Sequence, residues 1–206
     1  MTAPSILVAN PGDAVAPCRG ITPDMTDGVL VRAALNGDDR AFTTLVDRHA
    51  PACLRFAKRM LGELADAEDA AQETFLRAFN ALRSYDAATP FRTWLFAILV
   101  NRCRTSLLRR SRRERRVVRD EVEVEHAAPE DEARAFEFRE EIAWALGALP
   151  AEQREAFLLK HVEDLSYDEM VVVTGAGASA LRMRVKRACD RLQILLDERG
   201  RYGTNA

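Results

Sequence analysis

The chain has few aromatic residues, few strand-forming patterns and no long apolar run. Aromatic residues make up 7% of its 206 residues, and alternating β-branched residues are scarce, which disfavours a β-sheet protein. No apolar run approaches the ~20 residues that a helix needs to cross a bilayer, and no basic region leads into an apolar core near the N-terminus. Alanine, leucine, arginine and glutamate dominate instead. The composition therefore predicts an all-α, cytoplasmic protein without membrane insertion.

Patterns that carry catalysis or bind metals are missing as well. The sequence has no glycine-rich phosphate loop, no G-x-S-x-G and no H-E-x-x-H motif. His49 lies four residues before Cys53, as two metal ligands on one helix face would, but Pro51 separates them and no second ligand pair follows. The cysteines lack C-x-x-C spacing, which is typical of a reduced cytosolic protein. They are Cys18, Cys53, Cys103 and Cys189. We therefore expect no enzyme activity, no cofactor and no metal.

The net charge of −2 hides a strong segregation of charge along the chain. Residues 102–119 contain nine arginines and a single acid, Glu114, whereas residues 120–141 contain ten acids and two arginines. Local charge decides what a surface attracts, because salt screens interactions beyond roughly 8 Å. The first segment predicts a polyanionic partner. The second, interrupted by Pro129 and poor in core residues, predicts a linker between two domains.

Four helices are expected before that linker. Asp27 is expected to cap a short helix over residues 28–35, and an apolar stripe predicts a second helix over 39–61 that kinks or breaks at Pro51. Asp66 fits the N-cap of the third helix. After a polar loop, Thr89-Pro90 fits the start of a fourth helix, which runs into the arginine-rich segment.

The second half is predicted to contain a helix-turn-helix. Helices are expected over 137–146 and 150–161, and Ser166-x-x-Glu169 is a capping box that opens the next helix. A turn at Gly175-Ala176-Gly177 then leads into a long helix with one apolar and one basic face. Its basic residues are Arg182, Arg184, Lys186 and Arg187. A solvated surface helix would show the same pattern, but the preceding helix and turn favour a helix that lies in the major groove.

Aromatic residues precede the arginine-rich segment. Phosphate neutralisation needs cations, and holding unpaired bases needs aromatic faces or pockets nearby. Phe91 and Trp94 could serve as base platforms or as core residues, and for Trp94 the sequence favours the core. Tyr85 lies in the loop, where the two roles remain open.

Three stretches, read in order, resemble the sigma-70 family of RNA polymerase sigma factors, specifically its extracytoplasmic-function group. Residues 66–79 look like the polymerase-binding helix of the family. Residues 91–102 are similar to its promoter-melting and minus-ten-reading helix. Residues 149–157, together with 165–169 and the glycine turn, look like its minus-thirty-five-reading domain.

This resemblance implies a promoter-recognition subunit that binds promoter DNA and core RNA polymerase. The polymerase contacts would be the β′ clamp helices and the β flap. The resemblance also implies that an anti-sigma factor restrains the chain. It implies polymerase contacts from Asp69, Gln72, Glu73 and Leu76. It implies minus-ten contacts from Tyr85, Arg92, Asn101, Arg102 and Arg104. It implies minus-thirty-five contacts from Ser179, Arg182, Met183, Lys186 and Arg187.

The expected organisation is two small helical domains joined by a flexible linker. The predicted parts are an N-terminal tail (1–26), domain 2 (27–114), a charged linker (115–134), a helix-turn-helix domain 4 (135–198) and a C-terminal tail (199–206). The chain departs from the family pattern at Val171-Val-Val-Thr174 and at Gly177, where members often have a capping serine. A stand-alone helix-turn-helix regulator and a sigma-like decoy that binds only an anti-sigma factor are the alternative functions.

Overall fold

The computed structural model describes residues 21–22, 24–114 and 140–203, and every regular element in these ranges is helical. Most of the predicted N-terminal tail and the predicted linker lie outside the described residues. The helices are α1 (Asp27–Leu35), α2 (Asp39–Leu61), α3 (Leu64–Ala81), α4 (Phe91–Glu114), α5 (residues 140–147), α6 (Ala151–Phe157), α7 (Tyr167–Thr174) and α8 (Ala178–Gly203). A short 3₁₀ turn, Leu82–Ser84, follows α3, and α6 continues as a π-helical turn, Leu158–Val162. Among the described helices, none is long and apolar enough to cross a membrane.

Helices α1 to α4 form the first unit, around a core of large apolar side chains. Phe56 of α2 meets Phe96 of α4 edge to face, with ring centroids 5.5 Å apart, and both side chains are fully buried. Small residues of α3 complete this core and let the helix backbones approach closely. They are Ala67, Ala70, Ala71 and Ala78.

Three local predictions for the first unit need correction. Asp27 does not cap α1: it is the first residue of the helix, and its carboxylate accepts hydrogen bonds from Arg48 and His49 of α2. Asp66 lies in the first turn of α3, which begins at Leu64. Helix α2 does not break at Pro51. Packing of the apolar stripe on both sides of the proline outweighs the one helical hydrogen bond that proline removes.

Helices α5 to α8 form the second unit, and its local signals are confirmed. The Ser166 hydroxyl accepts a hydrogen bond from the Glu169 amide, and the Glu169 carboxylate accepts one from the Ser166 amide, which is the predicted capping box. Gly175 ends α7 with φ +72°, a left-handed conformation that favours glycine. Helix α8 begins at Ala178 and runs to Gly203, so it extends into the segment 199–206 that the sequence analysis assigns to a C-terminal tail.

The two units pack against each other in what we call the closed arrangement. Helix α4 lies along α7, and α2 contacts α6 and its π-helical turn. Buried apolar residues of both units belong to one continuous cluster. The closed arrangement therefore decides which faces of the predicted functional helices are exposed.

Candidate polymerase and nucleic-acid interfaces

The predicted polymerase-binding residues share one face of α3. Asp69, Gln72 and Leu76 are exposed, and Glu73 is half-buried. Leu76 is 56% exposed, a high value for a leucine on a helix whose other face is buried. This face combines acids, an amide and an apolar side chain, which suits a partner helix that carries basic and apolar residues.

A groove of mixed charge lies beside this face, between α3 and α4. All four predicted polymerase-binding residues line it, and arginines of α4 line the opposite wall, among them Arg102. Arg102 was predicted to contact the minus-ten strand, but its guanidinium lies 3.4 Å from the Glu73 carboxylate. Arg77 also donates to Glu73, at 2.7 Å. In the closed arrangement Arg102 thus faces the predicted polymerase-binding face and is largely buried.

The loop before α4 is held by its own aromatic residues. The Tyr85 hydroxyl donates a 2.6 Å hydrogen bond to the carbonyl of Thr89, and its ring lies 5.2 Å from the Trp94 ring and 5.7 Å from the Phe91 ring. Phe91 is 2% exposed and is a core residue. Tyr85 and Trp94 are half-buried, so each keeps one part of its ring accessible. Burial, the main cause, raises the pKa of Tyr85.

Arg92 and Arg104 of α4 face the second unit and form ion pairs with it. Arg92 donates to the Glu163 carboxylate at 2.7 Å. Arg104 makes two parallel hydrogen bonds to Glu155, at 2.8 and 2.7 Å. These bonds, opposed by desolvation, raise the pKa of Arg104. The fifth predicted minus-ten residue, Asn101, is exposed. The predicted minus-ten set is therefore divided among four surroundings: the aromatic loop, the second unit, solvent and the Glu73 carboxylate of α3.

Glu155 and Glu163 are functional candidates that sequence reasoning missed. They are 3% and 4% exposed, and buried carboxylates are rare unless they are paired. The signal that could have found them is their position among apolar residues of α6 and its continuation, where Leu158 and Leu159 are fully buried. Nothing in the sequence, however, indicates which arginines they meet.

The predicted minus-thirty-five residues form one exposed face of α8. Ser179, Arg182, Met183, Lys186 and Arg187 are all exposed. On the opposite face Leu181 and Ala188 are fully buried, and they hold α8 on the rest of the second unit. The guanidinium of Arg182 lies over the Tyr167 ring of α7, 4.9 Å from its centroid. The predicted DNA-facing residues are thus accessible, whereas Arg184, the fourth basic residue of this stretch, is partly buried and pairs with Glu152.

His49 and Cys53, which are spaced like two metal ligands in the sequence, lie in different surroundings in the described part of the chain. His49 lies 2.9 Å from the Asp27 carboxylate, and desolvation lowers its pKa. Cys53 is fully buried, and desolvation raises the pKa of its thiol to about 12. A protonated thiol in an apolar setting packs as a small apolar side chain.

Comparison with known proteins identifies both units. A family model described as Sigma-70 region 2 matches residues 45–113, and one described as Sigma-70, region 4 matches residues 139–192. RNA polymerase sigma factor CnrH of Cupriavidus metallidurans is 32% identical over 86% of this chain and 97% of the relative. The ECF RNA polymerase sigma-E factor of Escherichia coli K12 is 29% identical over 82% of this chain and 93% of the relative.

Solved structures of similar proteins cover both units together. One is CnrH in complex with the cytosolic domain of CnrY, with a TM-score of 0.64 and 32% identity over 84% of this chain and 97% of that one. Another is the sigma factor RpoE in complex with the anti-sigma factor NepR from Bartonella quintana, with a TM-score of 0.63 and 26% identity over 76% of this chain and 96% of that one.

Proposed function

The chain belongs to the sigma-70 family of RNA polymerase sigma factors, in its extracytoplasmic-function group, and we propose which of its surfaces perform each step of initiation. It directs promoter-specific transcription initiation by core RNA polymerase. We assign residues 27–114 to core binding and to the minus-ten element, and residues 135–198 to the minus-thirty-five element. The chain would act in the cytoplasm as a binding subunit, with the polymerase supplying all catalysis.

One observation carries the assignment: the acidic and apolar face of α3 and the basic face of α8 are both exposed, one in each region matched by the family models. The α3 face would bind the β′ clamp helices, and the second unit would contact the β flap. The α8 face would lie in the major groove of the minus-thirty-five element. The loop from Tyr85 and the start of α4 would hold the minus-ten strand.

Substitutions on α3 test the polymerase assignment. Asp69→Lys reverses a charge on the proposed binding face and should weaken association with core polymerase at least tenfold, measured by fluorescence anisotropy of labelled chain. Glu68→Lys is the matched control, because Glu68 is an exposed acid of the same helix that does not line the groove. Equal weakening by both variants would mean that only overall charge matters, and no weakening by Asp69→Lys would contradict the assigned face.

Asn101 tests the assignment of α4. Its exposed amide can bond a base edge or hold the loop, so Asn101→Ala should reduce strand opening more than closed-complex formation. Permanganate reactivity of unpaired thymines measures opening, and filter binding on the same promoter fragment measures the closed complex. Equal losses at both steps would contradict a role in opening.

Transcription by core polymerase separates this function from its two alternatives. Core enzyme plus this chain should start transcripts on genomic fragments, whereas either one alone should not. Tight, specific binding of promoter DNA without core would favour a stand-alone regulator. Failure to start transcripts at any genomic promoter would favour a decoy that binds only an anti-sigma factor.

We also propose that an anti-sigma factor restrains this chain. The two solved complexes support this, because CnrH is bound to the cytosolic domain of CnrY and RpoE is bound to the anti-sigma factor NepR. The exposed apolar side chains of α3, Leu76 and Phe79, suit such a partner. A partner that covered them would compete with core polymerase for the same face. Leu76→Asp should then weaken both complexes.

A further inference from the structure

Two of the arginines assigned to the minus-ten strand already have anionic partners within the chain. Arg104 bonds Glu155 through both Nε and Nη2, and Arg92 bonds Glu163 at 2.7 Å. Both glutamates are at least 96% buried, whereas the two arginine side chains are each 36% exposed. These pairs differ from surface pairs, because the carboxylates are shielded from water and from salt.

The chemistry of these pairs matches the chemistry of a phosphate contact. A carboxylate and a phosphate each offer two oxygen acceptors that fit the planar fork of a guanidinium. Arg104 cannot give both donors to Glu155 and, at the same time, to a DNA phosphate. While the units are closed, each buried glutamate also needs its arginine, because a buried carboxylate without a partner is strongly unfavourable.

We propose that Glu155 and Glu163 are internal competitors for DNA phosphates, which keep Arg92 and Arg104 from the minus-ten strand until the two units separate. This inference rests on the assignment of those arginines to DNA. The closed arrangement is thus a self-inhibited form of the chain, held by its own charges without any second protein.

Further hydrogen bonds, each with one charged side chain, join the two units at the same interface. The Thr93 hydroxyl donates to the Glu169 carboxylate at 3.2 Å, and Arg104 also donates to the carbonyl of Thr174. Arg154 donates to the carbonyl of Met60 at 2.8 Å. These bonds involve α4, α6 and α7 and the end of α2, so separation of the units exposes both arginines together.

The faces assigned to polymerase and to the minus-thirty-five element remain exposed in the closed arrangement. Asp69 and Leu76 are accessible on α3, and so are Arg182 and Arg187 on α8. Core polymerase can therefore dock on α3 before the units separate. Binding that favours the separated units shifts the population toward them, and the minus-ten surface becomes available only on the polymerase.

The experiment measures the separation of the units directly. Spin labels are placed at Leu108 of α4 and Ile194 of α8, which are 62% and 56% exposed, in the full-length chain. The buried Cys53 and Cys103 stay in place, because burial raises the pKa of both thiols to about 12 and keeps them unreactive. The two other cysteines are replaced by serine. Pulsed electron paramagnetic resonance should give one short distance between the labels for the wild type. For the double variant Glu155→Gln/Glu163→Gln it should give a broader distribution at longer distances.

A matched control and a rescue distinguish separation from misfolding. Asp190→Asn removes an exposed acid that pairs with Lys186 within the second unit, so it should leave the distance unchanged. Glu155→Arg should separate the units, and adding Arg104→Glu should restore the short distance. An unchanged distance in the double variant would overturn the proposal, and so would a failure of the charge swap to close the units again.

Binding of a mixed-sequence ten-nucleotide DNA single strand tests the masking. The double variant should bind it about thirtyfold more tightly, as expected if the competent fraction rises from about one thirtieth to nearly all. Its salt dependence should steepen by about 0.7 in log–log slope for each freed arginine. Separation of the units without tighter binding would overturn the masking and the DNA role of these arginines, while transcription with core enzyme would still test the proposed function separately.

Discussion

The two basic surfaces of this chain differ in availability rather than in charge. On α8, Arg182, Lys186 and Arg187 point into solvent from a well-packed helix. On α4, Arg92 and Arg104 have similar chemistry, but each is paired with a buried carboxylate of the other unit. On our assignment, the α8 surface could bind duplex DNA directly, whereas the α4 surface would first need the two units to separate.

This difference fits what each surface has to do. Reading a duplex from outside requires a rigid exposed helix, which the second unit supplies on its own. A separated DNA strand needs to be held only when the chain is bound to polymerase. If the arginines of α4 were exposed before that, they would favour binding of single strands of any sequence. Local charge in the sequence therefore predicts which partner a surface suits. On our proposal, the ion pairs between the units would decide when that partner can bind.

The largest expected effect comes from breaking one interdomain ion pair. Arg104→Ala leaves Glu155 buried without a counter-charge, so the free energy of unfolding measured by urea denaturation should fall by about 2 kcal/mol, less than for a fully buried pair because the Arg104 side chain is 36% exposed. Arg187→Ala on α8 is the control, because an exposed substitution should change the free energy of unfolding by less than about 0.5 kcal/mol. Similar losses in both variants would remove the distinction between the two surfaces.

The next effect concerns specificity on α8. Arg182→Ala should reduce discrimination between minus-thirty-five sequences by about 1–3 kcal/mol if the guanidinium reads a base edge. Competition binding of the holoenzyme to promoter variants measures it. Arg184→Ala should leave discrimination unchanged, since Arg184 is partly buried against Glu152 at 2.6 Å. Uniform weakening across all sequences would show that Arg182 contacts only phosphate.

A smaller effect tests the residue that serves both units. Glu169 caps α7 with Ser166 and accepts a bond from Thr93 of α4. Ser166→Ala should destabilise the chain by about 1 kcal/mol through loss of the cap, measured by thermal denaturation. Thr93→Val removes only the bond across the interface and should cost less. A larger cost for Thr93→Val than for Ser166→Ala would mean that the bond across the interface contributes more to stability than the cap of α7.

The smallest effect is a pH dependence confined to the first unit. His49 packs beside Phe91 at the start of α4, and burial lowers its pKa below the usual value near 6.5. Below about pH 6.5 the unfolded chain therefore binds more protons than the folded chain. The contribution of His49 to the free energy of unfolding should be complete above that pH and should decline as the pH falls below it. His49→Gln should flatten this decline in urea titrations. An identical decline in His49→Gln would mean that other groups cause it.

The sequence predicted what depends on neighbouring residues. The capping box at Ser166, the glycine turn at Gly175 and the alternation of faces along α8 follow from spacing alone, and the structure confirms them. The starts of helices are harder to predict from the sequence. Helix α3 begins at Leu64 rather than after Asp66, because a helix can start without a side-chain cap when its apolar face is buried.

Pairings between distant residues could not be predicted in this way. Arg104 and Glu155 are 51 residues apart, and Arg92 and Glu163 are 71 apart. No local pattern specifies which arginine of an arginine-rich helix meets which acid, because that depends on how two helical units pack. The family resemblance supplied the roles of the helices, and only the structure shows that two of the minus-ten arginines are paired in the closed arrangement.

The distance between Leu108 and Ile194 in the wild-type chain, measured before and after core polymerase and then promoter DNA are added, tests the central claim most directly. We predict one short distance for the free chain, and a long one once the chain is bound to polymerase and the minus-ten strand is open. A distance that stays short in a complex that is actively making transcripts would contradict the account, since Arg92 and Arg104 would then never leave Glu163 and Glu155.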